Sequence, residues 1–145
     1  MIAFTHRPNP LIHTSHQSDI SMVDIASKSI SPLVQNPAGD FLAAWAPDSR
    51  RILYTSSVDD TLSNYYKNNQ VFIADINGGK PVRIGQLFDE SIGGLVWNPA
   101  GIFFSAWQRT KRQLFRIDPA NGQVKPVTTT NEVIGGYSFS KDGKP

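Results

Sequence analysis

The chain has 145 residues, of which 39% are hydrophobic and 18% charged, a composition that is typical of a packed domain and excludes intrinsic disorder. The net charge is only +2 and the basic residues are scattered, so we expect no nucleic-acid partner. The absence of cysteine excludes disulfides and thiolate metal sites but leaves the cellular compartment open. No apolar run reaches the length of a membrane span, so we expect no membrane partner.

The first 40 residues are interpreted as an incomplete unit of antiparallel β-strands. Short runs rich in β-branched and aromatic residues predict strands at 2–5, 20–26 and 30–34. Residues 6–19 are predicted to be a polar loop between the first two of these strands. Comparison with the units that follow indicates that the first strand of this unit is missing.

Residues 41–91 and 92–131 are each predicted to form a complete unit of four antiparallel strands. In the former unit the expected strands lie near 41–46, 51–57, 70–76 and 81–85. Pro, Asp, Asn and Gly separate the runs, because these residues supply the backbone angles of tight turns. Residues 132–145 are predicted to be the first strand of one more unit.

The two complete units repeat each other residue by residue. Trp45 and Trp97 lie 52 positions apart, and Ile52 and Ile102 lie 50 apart. Further matched pairs are Pro47 with Pro99, Tyr54 with Phe104 and Asp75 with Asp118, and the first unit matches them at Ile2, Phe4 and Asp24. A repeat of about 40–50 residues is typical of blade-like arrays.

A meander of four strands cannot bury both of its faces alone, so such units must stack in a radial propeller or a linear array. One aromatic residue per first strand favours the propeller. The predicted fold class is therefore all-β: a β-propeller fragment with two complete four-stranded blades and two partial ones. We expect the chain to be a piece of a larger propeller, forming an open arc.

Three strings resemble the N-terminal propeller of prolyl oligopeptidase-family serine peptidases, especially the acylaminoacyl-peptidase and dipeptidyl-peptidase-like bacterial members. They are DESIGGLVW at 89–97, GIFFSA at 101–106 and LFRID at 114–118. The turns WAPDS at 45–49 and FSKDG at 139–143 resemble those of TolB-like propellers, whose repeats are called PD40. The resemblance implies a propeller that caps a C-terminal α/β-hydrolase domain and filters peptide substrates by size.

No catalytic, cofactor-binding or metal-binding residue is predicted in this chain. A nucleophile elbow requires Gly-x-Ser-x-Gly, and the nearest string, GYSFS at 136–140, lacks the second glycine. His13 and His16 have a spacing that suits a metal, but no carboxylate or cysteine completes a site at a familiar interval. We interpret them as part of a solvated loop. We therefore expect the hydrolase domain to be absent from this chain.

One end of the repeat is a candidate contact face. Antiparallel strands place the connection between the second and third strands at the same end as the connection between units. Six polar or aromatic residues of these loops are predicted to face a hydrolase domain or a peptide, together with the 6–19 loop: Tyr65, Tyr66, Asp89, Glu90, Arg109 and Arg112. The acidic pair could bind a peptide ammonium group. The alternative is plain surface decoration.

Two functions remain open at this point. The first is the non-catalytic, substrate-gating propeller of a serine peptidase, with the missing hydrolase domain and a peptide as partners. The alternative is a TolB-like propeller that acts as a protein–protein interaction module. In both cases the uncovered apolar flanks and free strand edges of an open arc predict self-association.

Overall fold

The computed structural model describes residues 1–14, 16–57 and 68–140. Within these ranges eleven strands form three antiparallel sheets, and one turn of 3-10 helix at Ile12–Thr14 is the only helical element. The prediction of an all-β fold of antiparallel strands is confirmed. No helix in the described part of the chain is long and apolar enough to cross a membrane.

Each sheet is a meander in which strands that follow each other in sequence are neighbours. The first sheet contains β1 (Ile2–His6), β2 (Asp19–Val23) and β3 (Ile30–Val34). The second sheet contains β4 (Asp40–Trp45), β5 (Arg51–Ser56), β6 (Gln70–Asp75) and β7 (Val82–Ile84). The third sheet contains β8 (Ile92–Asn98), β9 (Gly101–Gln108), β10 (Lys111–Ile117) and β11 (Val124–Pro126).

The strand register of the second and third sheets matches the sequence repeat. Trp45 lies opposite Ile52 on the neighbouring strand, and Trp97 lies opposite Ile102 in the same way. In both sheets the first strand also contains a register shift shortly before the tryptophan. The residues that were paired in sequence therefore occupy equivalent positions in space.

An aspartate ends or follows one strand of each sheet: Asp24 follows β2, Asp75 ends β6 and Asp118 follows β10. The second and third of these accept a hydrogen bond from the backbone N–H two residues later, at 2.8 and 2.9 Å. In the first sheet the Asp24 carboxylate accepts the N–H of Ser27 at 2.8 Å. This turn ends β2 at Val23, so the predicted strand over 20–26 is wrong at its carboxyl end.

The turn between β8 and β9 requires its glycine. Gly101 has φ of 136°, a conformation that side chains rarely adopt. A Cβ at this position would also lie 2.6 Å from Nε of Arg116, the atom that donates a 2.7 Å hydrogen bond to the carbonyl of Ala100. Asn98 fixes the other side of the turn by accepting the N–H of Ala100 at 2.9 Å.

The second sheet is buried on both faces, so the core of the protein lies between sheets. Alternate residues of β5 divide between the two interfaces: Ile52 and Tyr54 pack on the first sheet, whereas Leu53 packs on the third. The interface with the first sheet also contains Ala3, Ile20, Met22, Val34 and Ala74. The interface with the third sheet also contains Val71, Ile73, Ile84, Trp97, Ile102, Phe104, Phe115 and Ile117.

The three sheets form a stack with the second sheet in the middle. Each of the two hydrophobic clusters of the described residues joins the second sheet to one neighbour, and neither joins the first sheet to the third. The described sheets do not close into a ring. The blade-like arrangement of a propeller therefore stays a prediction.

The segment predicted as a further first strand, 132–145, belongs to no strand over its described part, which ends at residue 140. It nevertheless packs on the third sheet. The Phe139 ring lies 4.6 Å from the ring of Phe103, measured between centroids, and the N–H of Ile134 donates to the carbonyl of Arg112 at 2.9 Å. The first sheet has three strands, as predicted.

Candidate functional site

The predicted contact face lies at one end of the third sheet. Four of its six residues precede β8 or lie where β9 turns into β10: Asp89, Glu90, Arg109 and Arg112. These loops share an end because β8 begins opposite the end of β9, where Ile92 pairs with Ala106. The other two, Tyr65 and Tyr66, lie outside the described residues. A contact role for this face stays a prediction.

The acidic pair is exposed and is connected to the second sheet. The Asn68 side chain, which precedes β6, donates a long 3.4 Å hydrogen bond to the Asp89 carboxylate. The hydroxyl of Ser91 donates to the amide oxygen of the same asparagine at 2.7 Å. The connection between β5 and β6 therefore contacts the start of the third sheet. A cavity of about 570 Å³ opens beside them, lined also by Arg83 and Phe88.

The two arginines have different surroundings. Arg109 is exposed and has φ of 59°, as the tight turn between β9 and β10 requires. Arg112 is half-buried, and its guanidinium donates to the hydroxyl of Ser105 at 2.9 Å. Burial raises the pKa of Tyr137 to about 12, and the Arg112 charge opposes part of that rise. Of the two arginines, only Arg109 is therefore free to meet a ligand with its whole side chain.

The 6–19 loop repeats this arrangement at the junction of the first and second sheets. The N–H of Asp40, the first residue of β4, donates to the carbonyl of Ser18 at 2.7 Å. A Cβ on Gly39 would lie 2.8 Å from the carbonyl oxygen of His16, so the loop and the chain before β4 touch closely. At each junction, therefore, a residue that precedes one strand of a sheet contacts the start of the next sheet: Ser18 before β2 contacts β4, and Asn68 before β6 contacts the chain just before β8.

A buried carboxylate at this junction was not predicted. Asp40 is fully buried, and burial raises its pKa to about 6, with a further contribution from the charge of Asp19. The side chains of Ser56 and Asn36 oppose part of the rise, and the Asn36 amide donates to the carboxylate at 2.6 Å. Within the described ranges, Oδ1 of Asp40 and the hydroxyls of Ser18 and Ser56 are enclosed without a hydrogen bond of normal geometry.

The repeat contained a signal for this carboxylate. Asp40 lies 52 residues before Ile92, and both residues begin the first strand of their sheet. An aspartate at a position where the repeat elsewhere has an isoleucine is a departure from the apolar pattern. Such departures mark either a functional site or a charge that folding must neutralise.

A serine–histidine contact was also missed. Nε2 of His6 lies 2.8 Å from the hydroxyl of Ser21 on the neighbouring strand. Ser21 is only 5% exposed and lies in the middle of β2, so no strained turn lifts its hydroxyl toward a substrate. We interpret this contact as structural. The described residues also contain no group of three or more His, Cys, Asp or Glu side chains that could hold a metal ion.

Comparison with known proteins gives a distant similarity. No family model matches the chain. A curated protein, dipeptidyl-peptidase 5 of Porphyromonas gingivalis, is 24% identical over 131 residues. This alignment covers 88% of the present chain but only 19% of the length of the peptidase. The present chain, whose described part consists of antiparallel β-sheets, is therefore distantly similar to a portion of a dipeptidyl peptidase.

Proposed function

We propose that this chain is the non-catalytic, substrate-gating propeller portion of a serine peptidase of the prolyl oligopeptidase family. In this proposal the three sheets are neighbouring blades. The observation that carries it is their repetition: equivalent residues lie in the same register, and each later sheet packs the same face on the sheet before it. The similarity to a dipeptidyl peptidase across 88% of the chain supports the family.

The end of the stack that carries Asp89 suits a gating role. Its loops are held by rigid sheets on one side and are open to solvent on the other. Asp89 and Glu90 are exposed carboxylates without an ion pair among the described residues, so they can receive the ammonium group of a peptide. Arg109 offers a positive charge at the same end for a peptide carboxylate.

The proposed partner on this face is an α/β-hydrolase domain, which supplies the chemistry that this chain lacks. A peptide reaches that domain only by passing the loops that the sheets hold in place. The proposal therefore assigns binding and size selection to the present chain and assigns bond cleavage to its partner.

Peptide binding to the chain tests this proposal. In a titration followed by amide NMR, a tripeptide with a free amino terminus should shift signals around Asp89 and Arg109 in a saturable way. Asp89→Asn combined with Glu90→Gln should weaken binding about tenfold, the loss expected for a charge-assisted contact of about 1.4 kcal/mol. Acetylation of the peptide should have the same effect on the unmodified chain.

Asp75→Asn provides the matched control. Asp75 lies at the opposite end of its sheet, and an asparagine still accepts the turn hydrogen bond from Asn77. This variant should leave peptide binding unchanged. Binding at the Asp75 end, or no binding at all, would contradict the proposal. Saturable binding of a protein at the Asp89 end without any peptide binding would favour the TolB-like interaction module instead.

A further inference from the structure

We propose that Asn77 is a site of spontaneous covalent modification, at which the side-chain amide is lost and the backbone rearranges to isoaspartate, while Asn121 stays largely intact. These two residues are the only asparagines in the sequence that precede a glycine. The reaction consumes water alone, so this inference does not rest on the proposed peptidase function. The structure distinguishes two sites that have the same local chemistry.

The modification begins at the backbone nitrogen of the glycine. The Gly78 nitrogen loses its proton to hydroxide and forms a bond with Cγ of Asn77. The bond from Cγ to Nδ2 then breaks, and the amide leaves as ammonia after it takes a proton from water, which regenerates the hydroxide. Water opens the resulting five-membered imide: attack at the backbone carbonyl gives isoaspartate, and attack at the side-chain carbonyl gives aspartate. Glycine favours the ring closure because it has no side chain to obstruct it.

The two asparagines lie in similar turns of neighbouring sheets. Asn77 lies in the turn between β6 and β7, and Asn121 lies in the turn between β10 and β11. Both side chains are exposed. In each turn the glycine N–H donates to the carbonyl of the preceding aspartate, at 3.1 Å for Gly78 and 2.8 Å for Gly122. The sequence motif and the exposure of the side chain therefore do not separate the two sites.

The turn that contains Asn121 is packed on the second sheet. A Cβ on Gly122 would lie 3.4 Å from the backbone nitrogen of Gly85 and 3.7 Å from Cβ of Ile84. The Asn121 side chain also accepts the N–H of Gln123 at 2.9 Å. Ring closure requires the peptide group after the asparagine to rotate toward Cγ, and the close contact with the second sheet resists this rotation. The turn must therefore open locally before it can react.

The turn that contains Asn77 has no such contact. Among the described residues, no atom outside the immediate chain neighbours lies within 4 Å of a Cβ built on Gly78 or Gly79. The Asn77 amide donates to the carboxylate of Asp75 at 3.0 Å, but this hydrogen bond is exposed, so water can replace it. The peptide group after Asn77 can therefore rotate toward Cγ without the loss of any packing.

Isoaspartate in this turn should loosen β7. It adds one methylene to the backbone and one negative charge to the side chain, directly between β6 and β7. The latter strand has only three residues, and its pairing with β6 begins at Val82 and Ile73 and ends at Ile84. Ile84 is buried in the core between the second and third sheets. A longer turn therefore weakens the outer strand of the second sheet before any other part of that sheet.

Mass spectrometry of the aged protein tests the proposal. The unmodified chain is incubated at neutral pH and physiological temperature and then digested with trypsin at mildly acidic pH, where ring closure is slow. Fragmentation of the peptides 68–83 and 117–141 locates the modified residue. We expect modification at Asn77 to be about tenfold faster than at Asn121, which corresponds to a difference of about 1.4 kcal/mol in the free energy of local opening.

Two matched variants give a second measurement. An isoaspartyl methyltransferase with labelled S-adenosylmethionine transfers a methyl group only to isoaspartate. Asn77→Gln should remove most of the label from the aged protein, because glutamine would have to close a six-membered ring. Asn121→Gln is the control and should leave the labelling unchanged. Labelling that is lost in Asn121→Gln instead would overturn the proposal.

Unfolding separates the effect of the structure from that of the sequence. In concentrated urea Asn77 and Asn121 should react at similar rates, because no packed turn remains. Similar rates in the folded chain would overturn the proposal, as would a preference for Asn77 that persists in urea. A folded chain that stays unmodified at Asn77, over a period in which the urea-unfolded chain reacts there, would also overturn it.

Discussion

The first and second sheets present the same kind of face to very different surroundings. Ile2 and Ile52 are matched by the repeat, yet Ile2 is 52% exposed and Ile52 is fully buried. The difference arises from the neighbour: the second sheet has the first sheet against this face, and the first sheet has none among the described residues. Burial in a stacked array is thus decided by the adjacent unit rather than by the strand that carries the side chain.

The largest expected effect concerns the tryptophans. Trp97 is 8% exposed in the core between the second and third sheets, and the guanidinium of Arg51 lies 5.2 Å from its ring centroid. Trp97→Ala should lower the free energy of unfolding by about 3–5 kcal/mol, measured by denaturant titration. Trp107→Ala is the control, since Trp107 is 51% exposed, and it should cost less than about 1 kcal/mol. Equal losses of unfolding free energy in the two variants would contradict the conclusion that the core lies between the sheets.

Alanine variants of Ile2 and Ile52 test directly whether the burial of these two side chains differs in its effect on stability. Ile52→Ala should lower the free energy of unfolding by about 2–5 kcal/mol, because it leaves a cavity between two sheets. Ile2→Ala removes the same atoms from an exposed face and should cost less than about 1 kcal/mol for the monomer. Denaturant titrations at a protein concentration low enough to keep the chain monomeric compare the two. A large loss for Ile2→Ala would mean that its face is covered.

The junction of the same two sheets should respond to pH. Burial raises the pKa of Asp40 to about 6 in the folded protein, whereas an aspartate in the unfolded chain has a pKa of about 3.9. The folded state therefore holds the proton of Asp40 more tightly, so the contribution of this group to stability is greatest below the unfolded pKa and is lost as pH rises through about 6. Asp40→Asn should remove this fall.

The raised pKa of Asp40 also sets the size of the expected change in stability. At pH 7 the Asp40→Asn variant should be more stable than the unmodified chain by about 2–3 kcal/mol, and at pH 4 the two should be nearly equal. Asp89→Asn is the control, because Asp89 is exposed, and it should leave the pH profile unchanged. Thermal melts from pH 4 to pH 7 measure both. A difference in stability between the two proteins that does not grow from pH 4 to pH 7 would show that Asp40 is ionised at little cost in the folded state.

The smallest expected effect is in catalysis. Ser21 and His6 lie on neighbouring strands of the first sheet, but the serine is buried in the middle of β2 rather than on an exposed turn. The chain alone should not turn over chromogenic dipeptide or acyl-amino-acid substrates above the buffer rate. Ser21→Ala should not change that baseline. Covalent labelling of the unmodified chain by a fluorophosphonate would contradict this prediction.

The sequence by itself determined the all-β fold, the approximate positions of the eleven strands in the three sheets and the equivalence of the matched residues in the second and third sheets, but not the strand predicted over 132–145. The matched tryptophans and isoleucines lie at equivalent positions because a strand has a period of two residues, and a shift by one would turn Ile52 or Ile102 toward the wrong face. The turn residues were equally readable, since glycine and aspartate act through local backbone geometry. The end of β2 was misjudged because the side chain of Asp24 starts a turn that competes with the strand.

Only the tertiary structure decided which faces are covered and which groups are isolated from water. Asp40 is buried because the 6–19 loop and β5 close around it, and a sequence pattern does not contain contacts between segments so far apart. The placement of Phe139 on Phe103 is another such contact, since the two residues lie far apart in the sequence. Local sequence patterns determine the backbone of each sheet, whereas the burial and the partners of a side chain depend on the residues of the neighbouring sheet or loop.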